Sequence, residues 1–148
     1  VATGKKKSDR KVVALIEDDP DIAATLKIGL EMKGLEVRHA MNGRAGLEMI
    51  QQERPDGLVI DIMMPKMNGL EVLAALQSKR STASIPTMVL TGILEDEDDK
   101  QEEEWRKRLE IDDFVRKPFD TPDLVKRVLN MMGLKDNAVP DSQSSNGA

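Results

Sequence analysis

The chain has 148 residues, 39% hydrophobic and 33% charged, with a formal net charge of −5. That suits one compact domain with tails, and the acidic balance speaks against nucleic-acid binding by this piece alone. The absence of cysteine excludes disulfides and thiolate metal sites, and no apolar run approaches the ~20 residues that cross a bilayer.

In chain order, residues 1–10 carry Lys5, Lys6 and Lys7 with little to bury and read as a flexible tail. They lack the apolar centre of a secretory signal, so the cytoplasm is the expected location. Val12-Val13-Ala14-Leu15-Ile16 is continuously apolar, as a strand covered on both faces should be. Ile22, Leu26 and Leu30 then repeat every four residues, a helical stripe that stops near Gly34. Leu35-Glu36-Val37-Arg38 alternates, which suits a strand nearer a sheet edge. By that parity His39 is expected to be partly buried and structural.

Asn42 can cap a helix carrying Leu47 and Ile50. Gly57 to Ile62 is a third strand, and Leu70, Leu73 and Leu76 mark the next helix. Pro86 to Thr91 is a fourth strand and Asp112 to Arg116 a fifth. Thr121-Pro122 reads as N-cap and first helical residue, followed by a buried face of Leu124, Val125, Val128 and Leu129. After Gly133 the composition is that of a disordered tail or linker, residues 134–148. Strands alternating with helices predict an α/β domain over residues 11–133, a parallel sheet with helices on both faces.

The chemistry gathers where strands end. The first runs into Glu17-Asp18-Asp19, the third ends in Asp61, the fourth in Thr91, and the fifth is followed by Lys117. In an open α/β sheet the carboxyl ends of the strands form the ligand crevice. Three acids, a hydroxyl and an ammonium are therefore expected to meet. Crowded carboxylates can be relieved by a hard divalent cation, and Mg²⁺ takes two or three of them while keeping several waters. A carboxylate beside such a cation can attack a phosphoryl group, giving an acyl phosphate, while Lys117 and Thr91 bind other oxygens.

The motifs Glu17-Asp18-Asp19-Pro20, Asp61-Ile62-Met63-Met64-Pro65 with Asn68-Gly69, Thr91-Gly92 and Lys117-Pro118-Phe119 resemble the signature of response-regulator receiver domains. The resemblance covers roughly residues 11–132. It implies a flavodoxin-like (βα)5 fold with strand order 2-1-3-4-5 and Asp61 as phosphoacceptor. It also implies Mg²⁺ held by Asp18, by Glu17 mainly through water, by Asp61 and by the carbonyl of Met63. Thr91 and Phe114 would be the switch residues, Lys117 would pair with the phosphate, and the Lys117–Pro118 bond would be cis. The implied partners are a sensor histidine kinase or phosphotransfer protein and an output domain or effector. Assembly would be monomeric, or dimeric on phosphorylation.

Three features depart from the family pattern. The Thr91–Lys117 segment is long, Glu110-Ile111 replaces a common glycine-alanine pair, and Phe114 lacks the hydroxyl of the commoner tyrosine. A phosphotransferase or phosphatase using the same nucleophile would need a second acid two residues on, where Met63 stands. A receiver that only binds partners would lack one of Asp18, Asp61, Thr91 or Lys117. Residues 95–104 hold eight acids and one lysine ahead of Arg106-Lys107-Arg108, an order that suits a helix dipole. This helix is either a solvated face or a partner surface. Trp105 within it is either an apolar anchor or an exposed contact.

Overall fold

The computed structural model describes residues 9–64, 67–92 and 98–136, the side chains of 98–102 excepted. Five parallel strands, β1 (Val12–Ile16), β2 (Glu36–Ala40), β3 (Gly57–Asp61), β4 (Thr87–Thr91) and β5 (Asp113–Arg116), form one sheet in the order β2-β1-β3-β4-β5. The helices are α1 (Pro20–Glu31), α2 (Gly43–Gln52), α3 (Gly69–Gln77), α4 (Arg80–Ala83), α5 (Asp98–Leu109) and α6 (Thr121–Met131). This is the expected doubly wound arrangement.

Strand parity divides the core in two. Val13, Leu15, Val59, Met88, Leu90 and Val115 pack with α1 and α6 on one face. Ala14, Ile16, Leu58, Ile60, Val89 and Phe114 face α2 and α3 on the other, with Trp105 and Leu109 of α5 against them. Because both faces are covered, β1, β3 and β4 are buried at every residue, the physical cause of their unbroken apolar runs. The edge strand β2 is only partly buried.

Local signals set most boundaries. Gly34 takes a positive φ of 87° just after α1, a conformation that costs a glycine little. Asn42 caps α2 by accepting from Ala45 N–H at 2.8 Å. Two expectations are corrected. The cap of α6 is Asp120, not Thr121: its carboxylate accepts from Asp123 N–H at 3.3 Å, so the helix starts one residue early. His39 is exposed, since the cover that buries Leu35 and Val37 does not extend to it at the end of an edge strand. The short α4 was not foreseen. It is anchored by Thr82, which is buried and donates its hydroxyl to the Leu76 carbonyl.

Where the described residues end, Leu134 still packs on the first core and Asp136 pairs with Lys33 at 2.9 Å. Both tail expectations otherwise fall on residues 1–8 and 137–148, outside the described part of the chain.

Candidate functional site

The sheet order reverses direction at β1: the chain goes out to β2, then returns to β3 on the other side. The carboxyl ends of β1 and β3 therefore flank the crevice that such a switch of topology opens. Each acid that follows β1 has a separate task. Asp19 caps α1, accepting from Asp21 N–H at 2.9 Å and Ile22 N–H at 3.2 Å, with Pro20 as the first helical residue. Glu17 is wholly buried and accepts from Asp19 N–H at 3.1 Å through Oε2. Asp18, between them, is half-buried. Carboxylate oxygens of Glu17, Asp18 and Asp61 lie within 4.8 Å of one another.

Asp61 closes β3 and is buried. Its Oδ1 accepts the Met63 N–H at 2.8 Å, so the loop after β3 turns around the carboxylate. That loop is pinned where α3 begins. Asn68 caps α3 through Glu71 N–H at 3.0 Å, and Gly69 N–H donates to the Ile62 carbonyl at 3.3 Å. A Cβ on Gly69 would stand 2.7 Å from both the Asp61 carbonyl and Ile62 Cα. Only glycine lets the helix approach the strand so closely, which gives the Asn68-Gly69 pair its physical reason.

Lys117 enters from the far side of the sheet. Its N–H donates to the Thr91 carbonyl at 2.8 Å, tying it to the end of β4. The peptide bond to Pro118 is cis. Its ammonium lies 3.0 Å from Asp61 Oδ2 and 2.6 Å from Glu17 Oε1. The second contact is an ion pair without hydrogen-bond geometry, which leaves Glu17 Oε1 buried with no hydrogen-bond partner. Burial pushes the Glu17 carboxyl up to about 7, against the pull of Lys117 and the Asp19 N–H, and Asp61 adds to the rise. For Lys117, burial works to lower the pKa, and the two carboxylates more than offset it, so the net shift is upward.

Three carboxylates crowd together, two of them against the one ammonium, and one buried oxygen lacks a hydrogen bond. An all-oxygen donor set of this kind fits a hard divalent cation better than a soft one.

Thr91 is buried at the end of β4, on the same edge of the sheet. Met63 leaves its side chain 55% exposed beside Asp61. Phe114 is not in this pocket. It lies in the second core, stacked on Trp105 with ring centroids 6.2 Å apart and planes at 14°. The Arg106 guanidinium carbon stands 5.6 Å from the Phe114 ring centre. Arg127 of α6 braces β5, donating to Asp113 Oδ2 at 2.9 Å and to the Phe114 carbonyl at 3.2 Å. Trp105 is thus an anchor on the second core rather than a free contact.

Residues 13–129 match the family described as the response regulator receiver domain. The chain belongs to that family. Like other receiver domains, it is part of two-component signal transduction. It is 33% identical over 124 residues to the DNA-binding dual master transcriptional regulator RpaA of Synechocystis sp., covering 84% of this chain and 50% of that protein. Protein PilH of Pseudomonas aeruginosa is 31% identical over 116 residues, 78% of this chain and 93% of PilH. Among solved structures, the receiver domain of a signal transduction histidine kinase from Syntrophus aciditrophicus superimposes with a TM-score of 0.74 at 28% identity. It covers 83% of this chain and 90% of that one. Chemotaxis protein CheY4 of Vibrio cholerae gives a TM-score of 0.72 at 26% identity, over 82% and 98% of the two chains.

The receiver spans about half the length of the transcriptional regulators it matches, such as RpaA at 50% and PhoP of Bacillus subtilis at 54%. Among the described residues, no helix is long and apolar enough to cross a membrane.

One residue near the site was missed by the sequence reading. His39 Nε2 lies 2.8 Å from the Glu17 carbonyl oxygen. Strand parity was the only local signal, and it pointed the wrong way.

Proposed function

We propose that this receiver is a phosphorylation switch in which Asp61 accepts a phosphoryl group from a phosphohistidine of a sensor kinase or phosphotransfer protein. The observation that carries the reading is the convergence of Glu17, Asp18 and Asp61 oxygens within 4.8 Å, with the Lys117 ammonium against two of them. A carboxylate oxygen of Asp61 attacks phosphorus, an O–P bond forms, and the P–N bond to the donor imidazole breaks. The electron pair leaves with that imidazole, which takes up a proton. The Met63 N–H and Lys117 orient the Asp61 carboxylate for attack.

Glu17, Asp18, Asp61 and the Met63 carbonyl are the groups that would hold Mg²⁺, which supplies charge neutralisation for the transferring oxygens. Lys117 is positioned to move from its carboxylate partners to a phosphoryl oxygen, and the Thr91 hydroxyl to bind another. The change then reaches Phe114 on β5, the strand that follows Thr91 across the sheet and pairs with β4. From there α5, β5 and α6 would carry it to an effector or output domain. The domain catalyses its own phosphorylation and is no dedicated enzyme. The reading places it in the cytoplasm, where such donors are found.

The test is incubation with acetyl phosphate and Mg²⁺, followed by mass spectrometry of the intact protein. One phosphoryl group is expected on the wild type and none on Asp61→Asn. Modification that persists in the variant assigns the acceptor elsewhere.

A further inference from the structure

His39 is the only histidine of the chain, and its environment is more specific than its exposure suggests. In the β1–β2 ladder the last paired residues are Ile16 and Ala40. One residue further, the Glu17 N–H still finds the Ala40 carbonyl, at 3.1 Å. The Glu17 carbonyl has lost its strand neighbour, because the chain leaves β2 there and Asn42 turns to cap α2. The His39 ring takes over: Nε2 stands 2.8 Å from that oxygen. A carbonyl oxygen only accepts, so Nε2 carries the proton and donates. The side chain thereby extends the ladder by one hydrogen bond beyond the end of the strand.

That carbonyl belongs to the peptide joining Glu17 to Asp18. Its plane decides where the Asp18 carboxylate points relative to Glu17 and Asp61, the other two members of the acidic cluster. We infer that His39 is a positioning residue of the cation site, holding the Glu17–Asp18 peptide so that Asp18 is presented to a divalent cation. It touches neither the cation nor the phosphoryl group and acts through the backbone of its neighbours. Partners one step removed from a metal commonly tune affinity in this way. The inference rests on the cation reading given above.

The test compares wild type, His39→Ala and His39→Gln, the last offering an amide N–H at similar reach. Mg²⁺ binding is measured by titration calorimetry on the full chain without any phosphoryl donor. Exchange of the Asp18 amide hydrogen is followed by NMR in the metal-free protein. His39→Ala should weaken Mg²⁺ binding about fivefold, the equivalent of one ordinary hydrogen bond, and speed Asp18 amide exchange. His39→Gln should restore both to within about twofold. The thermal midpoint should stay close to wild type, because the ring is exposed. Wild-type affinity in His39→Ala, or no recovery in His39→Gln, overturns the positioning role. A wild type that binds no Mg²⁺ is a different result: it overturns the cation reading and the inference built on it.

Discussion

Trp105 of α5 covers Phe114 of β5, the two rings nearly parallel at 14° and 6.2 Å between centroids. Phe114 is 5% exposed, so in this state the ring is turned inward. It cannot swing out without disturbing the indole, and the only tryptophan of the chain sits on the moving part of the proposed switch. Phosphorylation with acetyl phosphate and Mg²⁺ should therefore change tryptophan emission, and Asp61→Asn should abolish the change. Emission that is insensitive to phosphorylation would separate Phe114 from the switch.

The same pair contributes to stability. A stacked aromatic pair adds ~0.5–1.5 kcal/mol beyond the burial of its area. Trp105→Ala should cost about 1–3 kcal/mol in all. Urea unfolding followed by circular dichroism reads this, since the substitution removes the fluorophore. A loss below about 0.5 kcal/mol would make Trp105 a surface residue in energetic terms.

Glu110 occupies a left-handed backbone conformation, φ 48°, between α5 and β5. A side chain there costs roughly 1–2 kcal/mol. Glycine removes that cost but gives back about 0.5–1 kcal/mol through a freer unfolded chain. Glu110 is exposed, so little else is lost. Glu110→Gly should therefore raise stability by about 0.5–1 kcal/mol. An unchanged or lower urea midpoint counts against this balance.

Burial places the Glu17 pKa at about 7, above its ordinary 4.5. The folded domain then keeps a proton that the unfolded chain releases from pH 4.5 upward. That contribution to stability is complete below pH 4.5 and is lost as pH rises through about 7. The metal-free wild type should lose more stability between pH 5 and pH 8 than Glu17→Gln, by an amount on the order of 1–3 kcal/mol. At the proposed cation site Mg²⁺ would displace that proton, so its apparent affinity should rise with pH up to about 7 and level off above. Parallel pH profiles for the two proteins would show that Glu17 is not the group responsible.

Asp18→Ala should abolish Mg²⁺-dependent phosphorylation and leave the metal-free fold intact or slightly more stable, since one of three crowded carboxylates is removed. If circular dichroism shows the variant unfolded without metal, Asp18 is a structural residue.

Met63 stands 55% exposed beside Asp61 and offers no useful hydrogen bond to an attacking water. The side chain two residues after Thr91, Ile93, lies outside the described residues. Phospho-Asp61 should be long-lived, and Met63→Asn should speed its hydrolysis by about tenfold, a barrier change of ~1.4 kcal/mol. Decay of the wild type within seconds, or an unchanged rate in the variant, would remove Met63 from the control of lifetime.

Much of this protein was settled by its sequence alone. The apolar runs of β1, β3 and β4, the stripe of α1, the Asn42 cap and the acids and lysine at strand ends are local patterns. Each follows from neighbours a few residues away, through hydrogen-bond periodicity or the need to bury one face. The motifs around Asp61 were legible for the same reason. Tertiary structure decided what depends on residues far apart in the chain. His39 reaches Glu17 across 22 residues, and its role comes from where β2 ends relative to β1. Trp105 became an anchor because α5 lies on the face where Phe114 emerges. By contrast, Asp120 rather than Thr121 caps α6, a local choice that the stronger capping preference of aspartate over threonine already favours. Most of all, the Glu17 pKa is a product of the fold: an acid that would be solvated in an open loop is buried between Lys117 and Asp61, and only packing creates that environment.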